Sequence, residues 1–237
     1  MHKKKVFTFI FIIFCFVGIL TTTCLLVSWK NDVSTNLQVK KELEQYIKIK
    51  EEEDIGIDFD ELKKINPDTV GYIKVPNTKV DYVVVKGKDN DYYLKHDFNK
   101  KSNSLGWIFM NYKNNNDGSD KNLVIFGHNT SDGSMFGSLA SLLKEEIINN
   151  KDDLVIDFYT DKDHKKYQIF SIYTIKPETY YLNTEFRNDE FERFKEKVKE
   201  RSKYKIDVDI TNRNIITLST CQNHGVKRLV IHAVEIL

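Results

Sequence analysis

Cysteine, proline and glycine are all scarce in this chain of 237 residues, with three, three and ten of each. Cys15 and Cys24 sit inside an apolar N-terminal run, where they read as small apolar helix residues, so the remainder holds a single cysteine, Cys221. A lone cysteine cannot form a disulfide within its own domain. It is either an inert buried thiol or a reactive one, and arithmetic leaves both open. Few glycines and prolines, with 12% aromatic residues, exclude a largely disordered chain. No charge sign dominates: 36 basic residues face 35 acidic ones, which excludes the electrostatic footprint of a nucleic-acid partner. The chain has no C-x-x-C and no H-E-x-x-H, and its histidines and aspartates do not cluster at ligand spacing, so no metal is expected. "GHNTSDGSMFG" lacks the Lys-Ser/Thr ending of a phosphate loop, and no cofactor is expected either. Internal repeats and low-complexity tracts are missing too.

A long apolar run is present. Val6 to Ser28 is free of charge, and about 20 residues suffice to span a bilayer as a helix. "HKKK" precedes it, which places the N-terminus in the cytoplasm and the rest outside. A cleaved signal peptide is the rival reading, but its apolar region is usually about 7 to 15 residues with a small-x-small cleavage site. The flank "LLVSWKND" offers no such site, so the run is read as an uncleaved, single-pass signal anchor in the cell membrane. The expected divisions are a basic tail (1–5), the anchor (6–28), a juxtamembrane helical segment (29–66) and a catalytic barrel (67–237).

Residues 33–54 read as helix, with Val39, Leu43, Tyr46 and Ile47 on one face, and "DFDELKKI" as a second helix stopped at Asn66-Pro67. Together they suggest a stalk or brace. From Val70 the period changes to two. Eight segments rich in Val, Ile, Tyr and Phe follow, from "VGYIKV" to "KRLVIHAVEI". Two helices interrupt them: residues 134–150, striped by Phe136, Leu139, Leu143 and Ile147 with Ser134 as cap, and residues 188–200, striped by Phe191, Phe194 and Val198 with Asn188 as cap. Many strands and few helices predict a mostly antiparallel barrel decorated by short helices.

A cysteine nucleophile needs a partner that moves protons and donors that face the developing oxyanion. Five histidines follow the anchor. His164 lies in a hairpin-like turn and reads as solvated, His96 follows a run of aromatics, and His232 lies inside the final strand as a core or sheet histidine. His224 is three residues from Cys221 but sits in a turn, with nothing nearby to lock its ring. His128 ends the apolar strand "NLVIFG" and opens a polar loop, where a rigid element delivers a side chain to an open rim. Arg228 opens the last strand. Six residues of turn would set it beside Cys221, where its fixed donor fork could face an oxyanion or merely keep an edge soluble.

These motifs meet a known family. "TLSTC" followed by "RLVIHA" is similar to the Thr-Leu-x-Thr-Cys…Arg signature of sortases, and "NLVIFGHNTSDGSMFGSLASLL" resembles the segment carrying their histidine. "VVVKGKDNDYYLKHDFNKKSNSLGWIFMNYKN" and the Phe-striped helix before the seventh strand resemble class B in particular. The resemblance covers roughly residues 58–237. It implies an eight-stranded sortase-type barrel on a membrane-anchored cysteine transpeptidase of Gram-positive bacteria. Such an enzyme cuts a C-terminal sorting motif of secreted proteins, of Asn-Pro-x-Thr type in class B, after its threonine. It then passes the acyl group from a thioester to an amine of a peptidoglycan precursor of the lipid II type. By matching motif, Cys221 would be the nucleophile, His128 the general acid and base, and Arg228 the oxyanion and substrate donor. Ser219, which shares a strand face with Cys221, would touch substrate, as would Asn129 and Tyr181; Thr220 points the other way and reads as structural. The turn between Cys221 and Arg228 is shorter than is common in class B, and no Asp-Pro-aromatic lid of class C precedes the barrel. "NPDTV" reads as a helix stop and not as a sorting motif. A membrane-tethered cysteine protease would share Cys221 and His128 and differ in resolving the thioester with water. A non-enzymatic wall module would not need Cys221 at all.

Overall fold

The computed structural model describes residues 2–51, 54–148, 150, 154–221 and 227–236. It begins with a long helix, α1 (His2–Leu43), the one helix among the described residues long and apolar enough to cross a membrane. Its apolar N-terminal side chains are exposed, whereas Asn36, Val39 and Leu43 near its C-terminal end are buried. There α1 is fastened to the body of the protein. Asn36 donates to the Gly106 carbonyl at 3.1 Å, Asn103 donates to Asn36 Oδ1 at 3.0 Å, and Lys40 lies over the Tyr82 ring. Burying Val39 and Leu43 contributes about 1.5–3 kcal/mol each. The segment is therefore a brace joined to the core, not a free stalk.

The helix expected over residues 33–54 stops at Leu43. A short 3-10 turn, Glu44–Tyr46, leads into a hairpin of β1 (Ile47–Glu51) and β2 (Asp54–Ile57), with Ile47 opposite Ile57. "IKIK" alternates with period two, and that pattern prevails over the charged helix-formers around it. Helix α2 (Phe59–Ile65) starts as expected, with the Asp58 side chain accepting from Glu61 N, and ends before Pro67.

Eight strands close a barrel: β3 (Thr69–Lys74), β4 (Asp81–Val85), β5 (Phe109–Met110), β6 (Asn122–His128), β7 (Val155–Tyr159), β8 (His164–Ile175), β9 (Ile215–Cys221) and β10 (Arg228–Glu235). Their order around the barrel is β10-β8-β7-β3-β4-β5-β6-β9, and β9 pairs again with β10. This is the mostly β fold with short helices that the alternating segments predict. Two neighbours are parallel: β4 with β5, and β6 with β9.

Two of the expected helices need correction. Residues 137–143 form a 3-10 run, followed by α3 (Glu145–Ile148). A three-residue period buries Phe136, Leu139 and Leu142, where an α-helix would have buried Leu143. Ser134 is no cap; its hydroxyl donates to Asp132. Helix α4 (Glu190–Glu200) buries Phe191, Phe194 and Val198 as read, but Asn188 is not its cap. Asn188 adopts φ 46°, outside the extended geometry of a capping residue.

The wall formed by β8, β9 and β10 is buried on both faces. Leu229, Ile231 and Ala233 of β10 belong to the barrel core, while Val230 and Val234 pack with Phe191, Phe194 and Val198 of α4 and with Tyr181 in a second core outside the barrel. On β9, Ile216 and Leu218 face the first core and Ile215 the second. Side-chain alternation then places Thr217 and Ser219 on the outer face, and brings Arg228 and His232 to the same side on β10.

Candidate active site

The parallel pairing of β6 and β9 decides where the site lies. Both strands run toward the same rim, and the register sets His128 level with Cys221, the last residue of each strand. The Cys221 side chain and residues 222–226, His224 among them, lie outside the described residues.

Glycine is required just before His128. A Cβ on Gly127 would stand 2.5 Å from Ile108 Cδ1 and 2.8 Å from Phe136 Cγ, distances side-chain carbons do not adopt. The bare backbone lets Phe136 pack under the strand. Phe136 N donates to the His128 carbonyl at 3.0 Å, and Asn129 bridges to Met135, so the polar loop after His128 folds back onto the strand end.

His128 is 6% exposed. Its Nε2 lies 2.9 Å from the Leu94 carbonyl, which can only accept, so Nε2 carries a proton. In the neutral ring the lone pair is on Nδ1. Burial holds its pKa below the usual histidine value, opposed by the Leu94 hydrogen bond. A fixed tautomer with one nitrogen engaged and the other basic suits a group that gives and takes protons.

On the opposite side, β9 pairs Ser219 with Val230 of β10. Carried two residues toward the rim, that register sets Arg228 across from Cys221. Thr220 Oγ1 accepts from Leu229 N at 2.9 Å and donates to Leu229 O at 3.3 Å, pinning the strands there, the structural part its side-chain parity predicts. Arg228 is half-buried and donates through Nη1 to the Tyr181 hydroxyl at 3.2 Å. That hydroxyl also lies 3.2 Å from Ser219 Oγ. Of the three residues expected to touch substrate, Asn129 is exposed, while Ser219 and Tyr181 are buried under Arg228. The backbone of Cys221 is level with a proton-bearing imidazole on one neighbouring strand and with the start of the strand that Arg228 opens on the other, and cysteine, imidazole and guanidinium are the parts acyl transfer needs.

His96, His164 and His232 have settled partners. His96 stacks on Tyr92 at 4.0 Å and meets its carbonyl through Nδ1. His164, exposed in its hairpin as read, stacks on Tyr159 and pairs with Asp157. His232 is fully buried, the core histidine its strand position predicts. Sequence reasoning missed two contributors, Gly127 and the Leu94 carbonyl. Neither leaves a trace in residue spacing, because one acts by lacking a side chain and the other through its backbone. Among the described residues no three His, Cys, Asp or Glu side chains gather as a metal site.

The sortase domain family matches residues 73–236. Sortase B of Listeria monocytogenes is 38% identical over 167 residues, 68% of this chain and 65% of that protein's length. Sortase B of Staphylococcus aureus is 32% identical over 233 residues, 92% of this chain and 94% of its relative. Among solved structures, sortase B from Bacillus anthracis superposes with a TM-score of 0.76 at 34% identity, over 86% of this chain and 98% of that one. A Staphylococcus aureus sortase B–substrate complex and a sortase B complexed with triglycine have TM-scores of 0.70 and 0.71, each 34% identical over 75% of this chain and 84% and 85% of theirs. The strand order, the cysteine and histidine on one rim and these matches agree: the chain belongs to the sortase family of cysteine transpeptidases, and within it to class B.

Proposed function

We propose that this enzyme cleaves a C-terminal sorting motif of the Asn-Pro-x-Thr type in secreted proteins, after the threonine, and transfers them to an amine of a lipid II-type peptidoglycan precursor. The observation that carries this reading is the parallel register of His128 with Cys221, with Arg228 opening the adjacent strand.

In the first half-reaction the Cys221 thiolate attacks the threonine carbonyl. Arg228 donates to the oxygen as charge develops there. The imidazolium of His128 protonates the leaving nitrogen, the C–N bond breaks, and a thioester at Cys221 remains. In the second half, neutral His128 takes a proton from the incoming amine as it attacks. A new C–N bond forms and the thiolate leaves. Burial lowers the His128 pKa, so the neutral ring that accepts the proton of the incoming amine is the favoured form at neutral pH. Exposed Asn129 contacts the peptide at the rim, while Ser219 and Tyr181, buried beneath Arg228, support the guanidinium from below. No cofactor enters these steps.

Residues 6–28 anchor the enzyme with its N-terminus, residues 1–5, in the cytoplasm; residues 29–66 brace the external catalytic domain, residues 67–237. The triglycine and substrate complexes of sortase B relatives support the choice of an amine acceptor and a sorting-signal donor. The test is a sorting peptide incubated with the enzyme with and without triglycine. The expected result is a triglycine adduct and a Cys221 thioester. Hydrolysis alone, with no adduct from any acceptor, identifies a membrane-tethered protease instead.

A further inference from the structure

His232 is not used by the reaction, yet it sits fully buried in the strand that opens with Arg228. Its surroundings form a directed chain. Asn122 Nδ2 donates to the carbonyls of Tyr181 and Asn183, at 3.3 and 2.8 Å, so its Oδ1 is the acceptor. Thr217 donates its one hydroxyl proton to that Oδ1 at 2.6 Å. The Thr217 oxygen must therefore accept from His232 Nδ1, 2.8 Å away, which places the ring proton on Nδ1. His232 Nε2 then accepts from the Tyr173 hydroxyl at 2.9 Å. The Arg201 guanidinium lies over the Tyr173 ring, 6.0 Å from its centroid, and pairs with Glu178.

The chain begins and ends on one segment. Glu178 precedes the 3-10 turn Tyr180–Leu182, and Tyr181 and Asn183 receive the final hydrogen bonds. Both ends of residues 178–183 are thus tied through the barrel wall, and Tyr181 at their centre holds Ser219 and Arg228.

We propose that His232, Thr217 and Asn122 are positioning residues for the transpeptidation: they fix the turn at Tyr181 so that its hydroxyl presents Arg228 to the peptide carbonyl. This rests on the assignment of Arg228 as the donor. Neutral His232 suits the task, because only the Nδ1–H tautomer keeps every hydroxyl and amide in the chain satisfied. Thr217→Val removes the hydroxyl at nearly constant volume and breaks the chain at its middle. Thr217→Ser keeps it.

The experiment measures kcat/KM for thioester formation with a sorting peptide, in the full-length enzyme, for Thr217→Val and Thr217→Ser in wild-type and Tyr181→Phe backgrounds. Iodoacetamide alkylation of Cys221 and thermal unfolding are measured in parallel. Thr217→Val should lower kcat/KM about tenfold while Thr217→Ser stays within about twofold. In the Tyr181→Phe background, itself impaired, Thr217→Val should cost less than about twofold, the non-additivity of residues acting through one another. Alkylation should be unchanged. The proposal is overturned if Thr217→Val matches wild type, if Thr217→Ser is equally impaired, or if the Thr217→Val loss is undiminished in Tyr181→Phe. Should Arg228→Lys and Tyr181→Phe both be fully active, it is the assignment of Arg228 that fails.

Discussion

Two histidines in this barrel show what placement does to one side chain. His128 ends β6 at the rim, and His232 lies in the middle of β10 beneath α4. Both are shielded from water, and burial lowers both pKa values. His232 is held at about 3, by desolvation first and the Arg201 charge second; for His128 the Leu94 carbonyl opposes the desolvation. The difference is in their partners. His232 has both nitrogens engaged, by Thr217 and Tyr173, and is packed against the Phe170 and Phe194 rings. His128 spends Nε2 on Leu94 and stands level with Cys221. An imidazole saturated on both sides is structural; one saturated on a single side, at an open strand end, can do chemistry.

The sharpest way to break this comparison is to delete each ring. His128→Gln should lower peptide cleavage by about 10²–10⁴-fold, the usual worth of a general acid–base group, while urea denaturation shifts by less than about 1 kcal/mol. His224→Ala, near Cys221 in sequence alone, should stay within a few-fold. A His224 variant that abolishes thioester formation while a His128 variant is tolerated reverses the assignment. Arg228→Lys keeps the charge but loses the fork, and about 10²-fold in kcat/KM is expected.

His232→Gln should show the opposite balance: about 2–3 kcal/mol lost in urea denaturation, because Thr217 and Tyr173 lose buried partners, with a smaller loss of activity. Gly127→Ala should destabilise by about 1–3 kcal/mol, since the new methyl collides with Ile108 and Phe136, and it should drag His128 from its register. The smallest effect is in pH. Both folded-state values lie below the unfolded value near 6.5, so the unfolded chain binds protons first as pH falls. Stability is fully present above about pH 6.5 and declines below it, for His232 down to its folded value, by at most about 1.4 kcal/mol per pH unit per histidine. Denaturation at pH 7.5 and 5.5 checks this: His232→Gln should flatten the slope, and an unchanged slope would show that His232 is already charged in the fold.

Much of this is legible from residues alone. The eight strands follow the period-two segments, and the register of β6 against β9 sets His128 level with Cys221, while His224 lies outside the described residues. The differences are local. The charges of residues 47–57 favour helix, yet "IKIK" alternates and the hairpin follows it. Residues 137–143 keep the apolar spacing of a helix but take a 3-10 period, and Gly137 at their start lies so close to the Thr130 carbonyl that a Cβ would stand 2.2 Å from it. His232 is recognisable as a buried strand histidine, but its bonds to residues 217 and 173 are not, because hydrogen-bond partners depend on which strands become neighbours.

The sequence by itself determined the long apolar N-terminal run, the single cysteine outside it, the alternation that makes strands, and the strand parity that sets Ser219 apart from Thr220. These are one-dimensional properties, set by hydropathy and by the two-residue repeat of an extended chain. The tertiary structure alone decided that β6 and β9 lie parallel, that Arg228 rests on a buried tyrosine, and that a histidine, a threonine and an asparagine tie that tyrosine's turn to the wall. Those contacts join residues as much as 95 positions apart, and only closing the barrel brings them within hydrogen-bond reach.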